Sequence, residues 1–568
     1  MDLPKRPERF YLPDDLKITA WADIESFLIE LDERKISSVQ ELKKWLKDVS
    51  EVEAVLEEDQ AWRYIKMSIN TSNQDLRDAY TFFVTEIQPK LAPFSHRFDE
   101  KLVNSPFKNE LGKDFEIPLK KAQKNIEVFC EENIPLISKL QNKAQEFGAI
   151  NGAMEVEVNG ENVTMQKASS LLKDTNSAFR KEVFEKIASV RLENADKLDN
   201  LFDSLIADRH QLAVNAGYKN YRDYMFAAMQ RFDYAPEDCF EFHKSVEEEI
   251  VPLIEQLAVI RKEKLEVESL KPYDLAVDPE NLPPLKPFEG GKQLVEKTVN
   301  AFNRLDPYFG ECISTMNKMG HLDLESKKGK APGGYNYPLY EIGVPFIFMN
   351  AVGTVRDLVT MVHEGGHAIH SFLSRELPLT SFKSLTSEVA ELASMSMELI
   401  SLDKWDEFFE DEKELKRAQI EHLEDVLQTL PWIALIDKFQ HWIYENPEHT
   451  ATERKAKWLE FHKRFSPKTV SWEGYEEQRE IMWQKQLHLF EVPFYYIEYG
   501  MAQLGAIAIY RNYKKDPKKA ISNYKNALAL GYTKPIGEIY AEANVEFNFS
   551  KPYIKELVSF IQNELKRA

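Results

Sequence analysis

Cysteine is scarce in this chain. Cys130, Cys239 and Cys312 are its only three; they lie far apart and in no metal-type spacing. That excludes a disulfide framework and fits a reduced, cytosolic setting. Long apolar runs are missing too. The nearest, Val492 to Tyr510, is interrupted by Glu498, so no membrane span is expected. The first residues, Met1-Asp2-Leu3-Pro4-Lys5-Arg6, lead into polar sequence with no apolar signal core, so the expected location is cytoplasmic. Positive charge is in deficit. With 73 Lys and Arg against 94 Asp and Glu, the formal net charge of −21 argues against nucleic acid and anionic membranes as partners. Cationic or zwitterionic substrates remain compatible with it. Internal repeats, heptad arrays and low-complexity tracts are absent.

What remains is ordinary globular material, 43% hydrophobic and 29% charged, enough for a large core. The length of 568 residues suggests about three or four domains, or one large enzyme body. Helical periodicity dominates, so the fold class expected is mainly α. Ala20 to Glu33 places Trp21, Ile24, Phe27, Leu28 and Leu31 at helical spacing. Further helices are expected near 38–58, 60–70, 73–92 and 116–146, with Pro89, Pro93 and Pro106 marking turns. Alternating valines around Asn159-Gly160 predict a β-hairpin across 154–164. The hairpin is expected to end an N-terminal helical lobe over 1–170. A second domain over 171–568 contains helical stretches at 176–214, 236–268 and 292–319, and the Pro- and Gly-rich 269–290 reads as a surface excursion. A Gly-rich loop at 327–335 followed by a β-rich run at 342–350 suggests an edge strand able to pair with an extended peptide. A buried strand that only packs fits the same residues equally well.

The run just beyond that strand carries chemistry. His363-Glu364-Gly365-Gly366-His367 contains H-E-x-x-H, in which two imidazoles one helical turn apart can hold one Zn²⁺. The glutamate between them can take a proton from a zinc-bound water. With 12 His and 94 Asp plus Glu, random order would give such a pattern about 0.04 times per chain. Thr354 with Asp357 three residues later is a capping signature for the start of this helix. Val355, Leu358, Val359, Val362, Gly366, Ile369 and Leu373 form its core stripe, and the two histidines sit at the stripe's edge. Two adjacent glycines cost about 1 kcal/mol each relative to alanine. That expense points to close approach by another backbone or a ligand. His370 lies only about 20° round the helix from His363, but one helix does not easily close a tetrahedral site over two turns, so His370 reads as a neighbour of the ligands.

A third ligand is expected from a second helix. The segment 387–398 has the pattern, with Thr386 or Ser387 as its cap. Glu391 and Glu398 share a face and Glu388 is displaced by about 60°, so spacing alone leaves all three open.

His363-Glu364-Gly365-Gly366-His367-Ala368-Ile369-His370, preceded by Asn350 and Asp357 and followed by Glu391-Leu392-Ala393-Ser394, resembles the zinc oligopeptidases typified by oligoendopeptidase F and thimet oligopeptidase. The likeness covers roughly 200–560, and more weakly the N-terminal helices and hairpin. Gly365, where thimet oligopeptidase is expected to carry a larger apolar residue, favours the bacterial oligoendopeptidase branch. The resemblance implies a two-lobed helical ellipsoid with a deep central substrate channel and a small β element beside the metal helix. It makes 171–568 the catalytic domain and implies one Zn²⁺ per chain, held by His363, His367 and Glu391. Glu391, 24 residues after His367, matches the family's third ligand. Glu398 then becomes the partner of a ligand imidazole.

Amide hydrolysis also needs a donor to the developing oxyanion. The aromatic segment 488–500 offers His488, Tyr495, Tyr496 and Tyr499, with Tyr496 and Tyr499 on one helical face and Pro493 at the expected helix start. The family resemblance places a His and Tyr residues opposite zinc, which favours His488 and Tyr499. His followed by Tyr-Ile-x-Tyr is also similar to angiotensin-converting enzyme. The expected activity is therefore endoproteolysis of short unfolded oligopeptides, with Glu364 as base and Tyr499, Tyr496 and His488 as oxyanion donors. A zinc carboxypeptidase or peptidyl-dipeptidase on a similar scaffold, or an inert scaffold that merely retains zinc, are the alternatives.

Overall fold

Helical periodicity through most of the chain produces a mainly α protein, with short strands at two places. The computed structural model describes residues 3–567. Among the described residues, no helix is long and apolar enough to cross a membrane.

Most expected segments form with shifted boundaries. Residues 38–70 make one helix, Val39–Ile69, because no Gly or Pro interrupts them; Ser38 caps it by accepting from the Glu41 N–H. The 116–146 stretch breaks into Glu116–Val128 and Asn133–Gly152, and 176–214 breaks at Asn194. Pro89 and Pro93 do not mark turns. Both lie in the helix Gln88–Asn104, which follows a π-helical turn at Phe83–Ile87. Pro89 comes just after that turn within an unbroken helical run, so its missing N–H gives up a helical hydrogen bond. The wider π turn already shifts the hydrogen-bond register there.

Two compact units emerge, and they interleave along the chain. One comprises Met1–Phe129, Lys286–Gln419 and Ala502–Phe547; the other comprises Cys130–Leu285, Ile420–Met501 and Asn548–Ala568. The hairpin falls in the second unit. Its strands β1 (Glu155–Val158) and β2 (Glu161–Thr164) join through Asn159 and Gly160, both at positive φ. Its inward Val156 and Val158 pack with Ala168, Val183 and Ile187 of the following helices, which ties it to what comes after rather than before. The 269–290 stretch is an excursion only in part. Leu270, Asp274 and Val277 are buried, and Asp274 meets the equally buried Arg180 at 2.7 Å.

In the first unit, β3 (Leu322–Glu325), β4 (Tyr335–Tyr337) and β5 (Phe346–Ala351) form a sheet ordered β3-β5-β4. β5 is therefore central, parallel to β3 and antiparallel to β4, and is not the edge strand suggested by its position after the loop. Its near-continuous apolar sequence suits burial on both faces. The edge falls to β4, which comes from the Gly-rich loop itself. An open cavity of about 400 Å³ lies beside β4, lined by Tyr64, Tyr80, Tyr335, Asn336, Tyr337 and Pro338. The helix Val39–Ile69 packs here: Trp62 meets Phe346 edge-on and Ser68 Oγ lies 2.6 Å from the Tyr335 hydroxyl.

Candidate metal centre

The H-E-x-x-H residues lie on the helix Val355–Ser374 of the first unit. Thr354 and Asp357 close the expected capping box, and Asp357 Oδ2 accepts from the N–H groups of Val352 and Thr354. The two glycines have separate reasons. A Cβ on Gly366 would stand 2.6 Å from both Ala393 O and Ser394 Cα, so the backbone of the helix Ser387–Ser401 crosses against it. A Cβ on Gly365 would stand 2.8 Å from the Phe302 ring, which accounts for the small residue at that position.

This crossing carries Glu391 to the histidines. Glu391 Oε2 lies 3.3 Å from His363 Nε2 and 3.6 Å from His367 Nε2. His363 Nδ1 lies 2.6 Å from Glu398 Oε1. That bond fixes the ring and leaves its Nε2 facing Glu391. Ser394 Oγ donates to Glu391 Oε2 at 2.9 Å. The donor set fits a divalent metal, since two imidazole nitrogens and a carboxylate oxygen converge within 4.8 Å of one another. Neither Glu388 nor His370 contributes to this group.

Charge is expensive here. Burial raises the Glu391 pKa, but His367, His363 and Ser394 outweigh it and hold the carboxyl at about 2. Burial likewise opposes the charged form of His363, yet Glu391 and Glu398 lift it well above the ordinary imidazole value. His367 is held at about 4 and His370 at about 3, both chiefly by burial, so both imidazoles stay neutral near pH 7. Glu364 is buried, and desolvation pushes its carboxyl up to about 7 despite the nearby His363. Asn336, on β4, donates to the Glu364 backbone carbonyl at 3.3 Å, tying the sheet edge to the motif helix.

The expected oxyanion donors gather in the second unit. The His488 ring centroid lies 4.8 Å from that of Tyr496, 5.8 Å from Tyr499 and 5.9 Å from Tyr495. Tyr499 stands 5.3 Å from Tyr495 and 5.5 Å from Tyr496, so all four form one half-buried cluster. The helix that carries Tyr496 and Tyr499 begins at Tyr496 and not at Pro493, because Phe494 adopts φ +70° and interrupts helical geometry, while His488 lies on the separate short helix Leu487–Glu491. Partners from far along the chain hold this turn. Arg231 donates to the Phe494 carbonyl and meets Glu498 at 2.8 Å, while Gln440 Oε1 accepts from the Phe494 N–H. Gln486 Nε2 contacts His488 Nδ1 at 2.7 Å, a pair only two residues apart.

A convergent two-histidine, one-carboxylate centre with a buried glutamate beside its first histidine fits a metal-dependent hydrolase. The family models make this specific. Peptidase family M3 matches residues 170–559 and the Peptidase M3 N-terminal domain matches 16–129, so the chain belongs to peptidase family M3 and is a metallopeptidase. An oligoendopeptidase F homolog from Borreliella burgdorferi is 23% identical over 524 residues, covering 87% of this chain and 85% of that protein. Oligopeptidase PepF from Bacillus subtilis is 23% identical over 400 residues, 69% of this chain and 58% of that protein. Among solved structures, PZ peptidase A with an inhibitor superimposes with a TM-score of 0.90 at 28% identity, covering 96% of both chains.

Glu398→Gln removes the charge that holds the His363 proton while keeping the side chain's shape. Metal affinity is expected to fall about 10- to 100-fold, as measured by competition with a calibrated chelator. Unchanged affinity would show that Glu398 does not orient the ligand.

Proposed function

We propose that this metallopeptidase is a zinc-dependent endopeptidase that hydrolyses internal bonds of short, unfolded oligopeptides. The observation that carries the reading is the convergence of His363 Nε2, His367 Nε2 and Glu391 Oε2, with Glu364 one residue along from the first ligand. The names of the relatives, oligoendopeptidase and oligopeptidase, support the substrate class.

His363, His367 and Glu391 would hold a divalent cation, whose chemistry when bound would be Lewis acidity toward water and a peptide carbonyl. Glu398 fixes the His363 ring so that its Nε2 stays a donor. Glu364 takes a proton from the attacking water onto its carboxylate and delivers it to the leaving amine nitrogen. Burial favours both halves of that exchange, because a desolvated carboxylate accepts a proton readily and its neutral form persists long enough to hand it on. Tyr499, with Tyr496 or His488, is assigned the donation of a hydrogen bond to the oxyanion. The edge strand β4 offers unpaired backbone groups of the kind that hold an extended peptide.

Glu364→Gln is expected to keep its metal and to lose about 100- to 10,000-fold in kcat; metal analysis beside steady-state kinetics would check it, and normal turnover would end the assignment. Tyr499→Phe is expected to lower kcat about 100-fold or more with little change in KM. An equal loss from Tyr495→Phe with none from Tyr499→Phe would move the role. The substrate reading is tested by mass spectrometry of products from end-blocked peptides of increasing length. Internal cuts that cease above a limiting length support it, whereas cuts confined to free C-termini would indicate a carboxypeptidase or peptidyl-dipeptidase.

A further inference from the structure

The second unit contains another convergence of metal-ligating side chains, made from residues the proposed reaction does not use. Cys239 and His243 are four apart on the helix Pro236–Glu249, and Asp437 and His441 are four apart on the helix Glu412–Glu445. Each pair therefore projects from one face of its helix. All four side chains are almost completely withdrawn from solvent, with relative exposures of 0% for Cys239, 1% for His243, 0% for Asp437 and 2% for His441. One ligand atom each from Cys239, Asp437 and His441 lie within 4.8 Å of one another. His243 joins through Asp437, its Nε2 standing 2.8 Å from Asp437 Oδ2.

A purely structural network would satisfy these groups with one another, and it does so incompletely. His441 Nε2 lies 3.2 Å from Asp437 Oδ2, yet neither nitrogen of that ring makes a hydrogen bond. Asp437 Oδ1 and His243 Nδ1 are also buried without a hydrogen-bond partner. Water has little access, since the rings of Phe240 and Phe494 stand 4.8 and 5.4 Å from the His441 ring. Each buried polar atom left without a partner forfeits the hydration it had in the unfolded chain, which destabilises the fold. A coordinated cation would draw on the lone pairs that hydrogen bonding leaves idle.

From this geometry we propose that Cys239, His243, Asp437 and His441 form a second metal site, closed and structural, for a borderline-soft divalent cation such as Zn²⁺. The donor set is chemically matched: thiolate, carboxylate and two neutral imidazoles carry a charge of −2, which a dication neutralises inside a dry interior. Burial already holds His243 neutral near pH 7, in the form a metal requires. Ligand atoms around a tetrahedral zinc stand about 3.3–3.8 Å apart, given bonds of about 2.0–2.3 Å. The contacts to Asp437 need open by only about half an ångström to admit the ion. Such a site pins two helices that are remote in sequence. It also lies beside Phe494, whose turn begins the tyrosine helix.

Metal content of the full-length protein tests this. The protein is stripped with chelator, reloaded with Zn²⁺ or Co²⁺ alone and desalted, and metal per chain is then counted by mass spectrometry. Two ions are expected in the wild type. His363→Ala/His367→Ala is expected to retain one ion and, with Co²⁺, the near-ultraviolet charge-transfer band of a thiolate–cobalt bond. Cys239→Ser is expected to lose that band while peptide cleavage persists. A wild type with one ion that disappears in His363→Ala/His367→Ala, and with no thiolate band, would overturn the proposal. That outcome is read without Cys239→Ser, so it stands whether or not that variant folds. One ion with a thiolate band that survives His363→Ala/His367→Ala would uphold this site and overturn the other metal assignment, so the two fail separately.

Discussion

The metal centre depends on how closely two helix backbones can approach. Histidines one turn apart supply two ligands, but a centre forms only if a carboxylate from elsewhere reaches both. The absence of a side chain at Gly366 lets the Ala393–Ser394 backbone lie where a Cβ would otherwise be, and that contact sets the height and depth of Glu391. The adjacent Gly365 yields its space to Phe302, which packs the motif helix from another direction. The helical instability of a Gly-Gly pair is thus exchanged for ångström-scale control of a ligand. A methyl group at Gly366 would push Glu391 away from both imidazoles at once.

Burial works against charge at this centre, and the neighbours of each group decide the outcome. Glu364, Glu391 and Glu398 lie among the half-buried His363 and His367 and the buried His370, and desolvation is the largest influence on Glu364, Glu391, His363 and His367. The outcome differs by neighbour. Glu391 stays ionised because two imidazoles and Ser394 face it, whereas Glu364, further from compensation, is pushed toward neutrality. Two carboxyl groups on adjoining helices thereby acquire different protonation behaviour, the one suited to holding a cation and the other to exchanging a proton.

Features written in short-range pattern were legible in the sequence. The capping box at Thr354 and Asp357, the hairpin around Asn159-Gly160 and the close approach at the glycines all follow from residues within a few positions of each other. The choice of Glu391 over Glu388 and Glu398 came from family resemblance, since helical spacing did not separate them. What depended on distant partners was not legible. β5 fits an edge strand and a buried one equally well until β3 and β4 flank it, and Phe494 looks helical until Arg231 and Gln440 hold its turn. Cys239 illustrates the same limit. Compared only with the other cysteines it has no metal-type spacing; its partners are a histidine four residues on and two side chains roughly two hundred residues away.

The interleaving of the units has a consequence for how the enzyme comes into being on the ribosome. The glutamate helix is held from behind by late residues: Tyr524 donates to the Ala393 carbonyl at 2.7 Å and Tyr540 to the Glu388 carbonyl at 2.9 Å. Synthesis runs from the N-terminus, so both histidines and Glu391 leave the exit tunnel well before the tyrosines that brace their crossing. The unit bearing the centre closes its core only when the segment Ala502–Phe547 returns to it. The residues that brace the crossing of the two helices therefore belong to the last part of that unit to be synthesised.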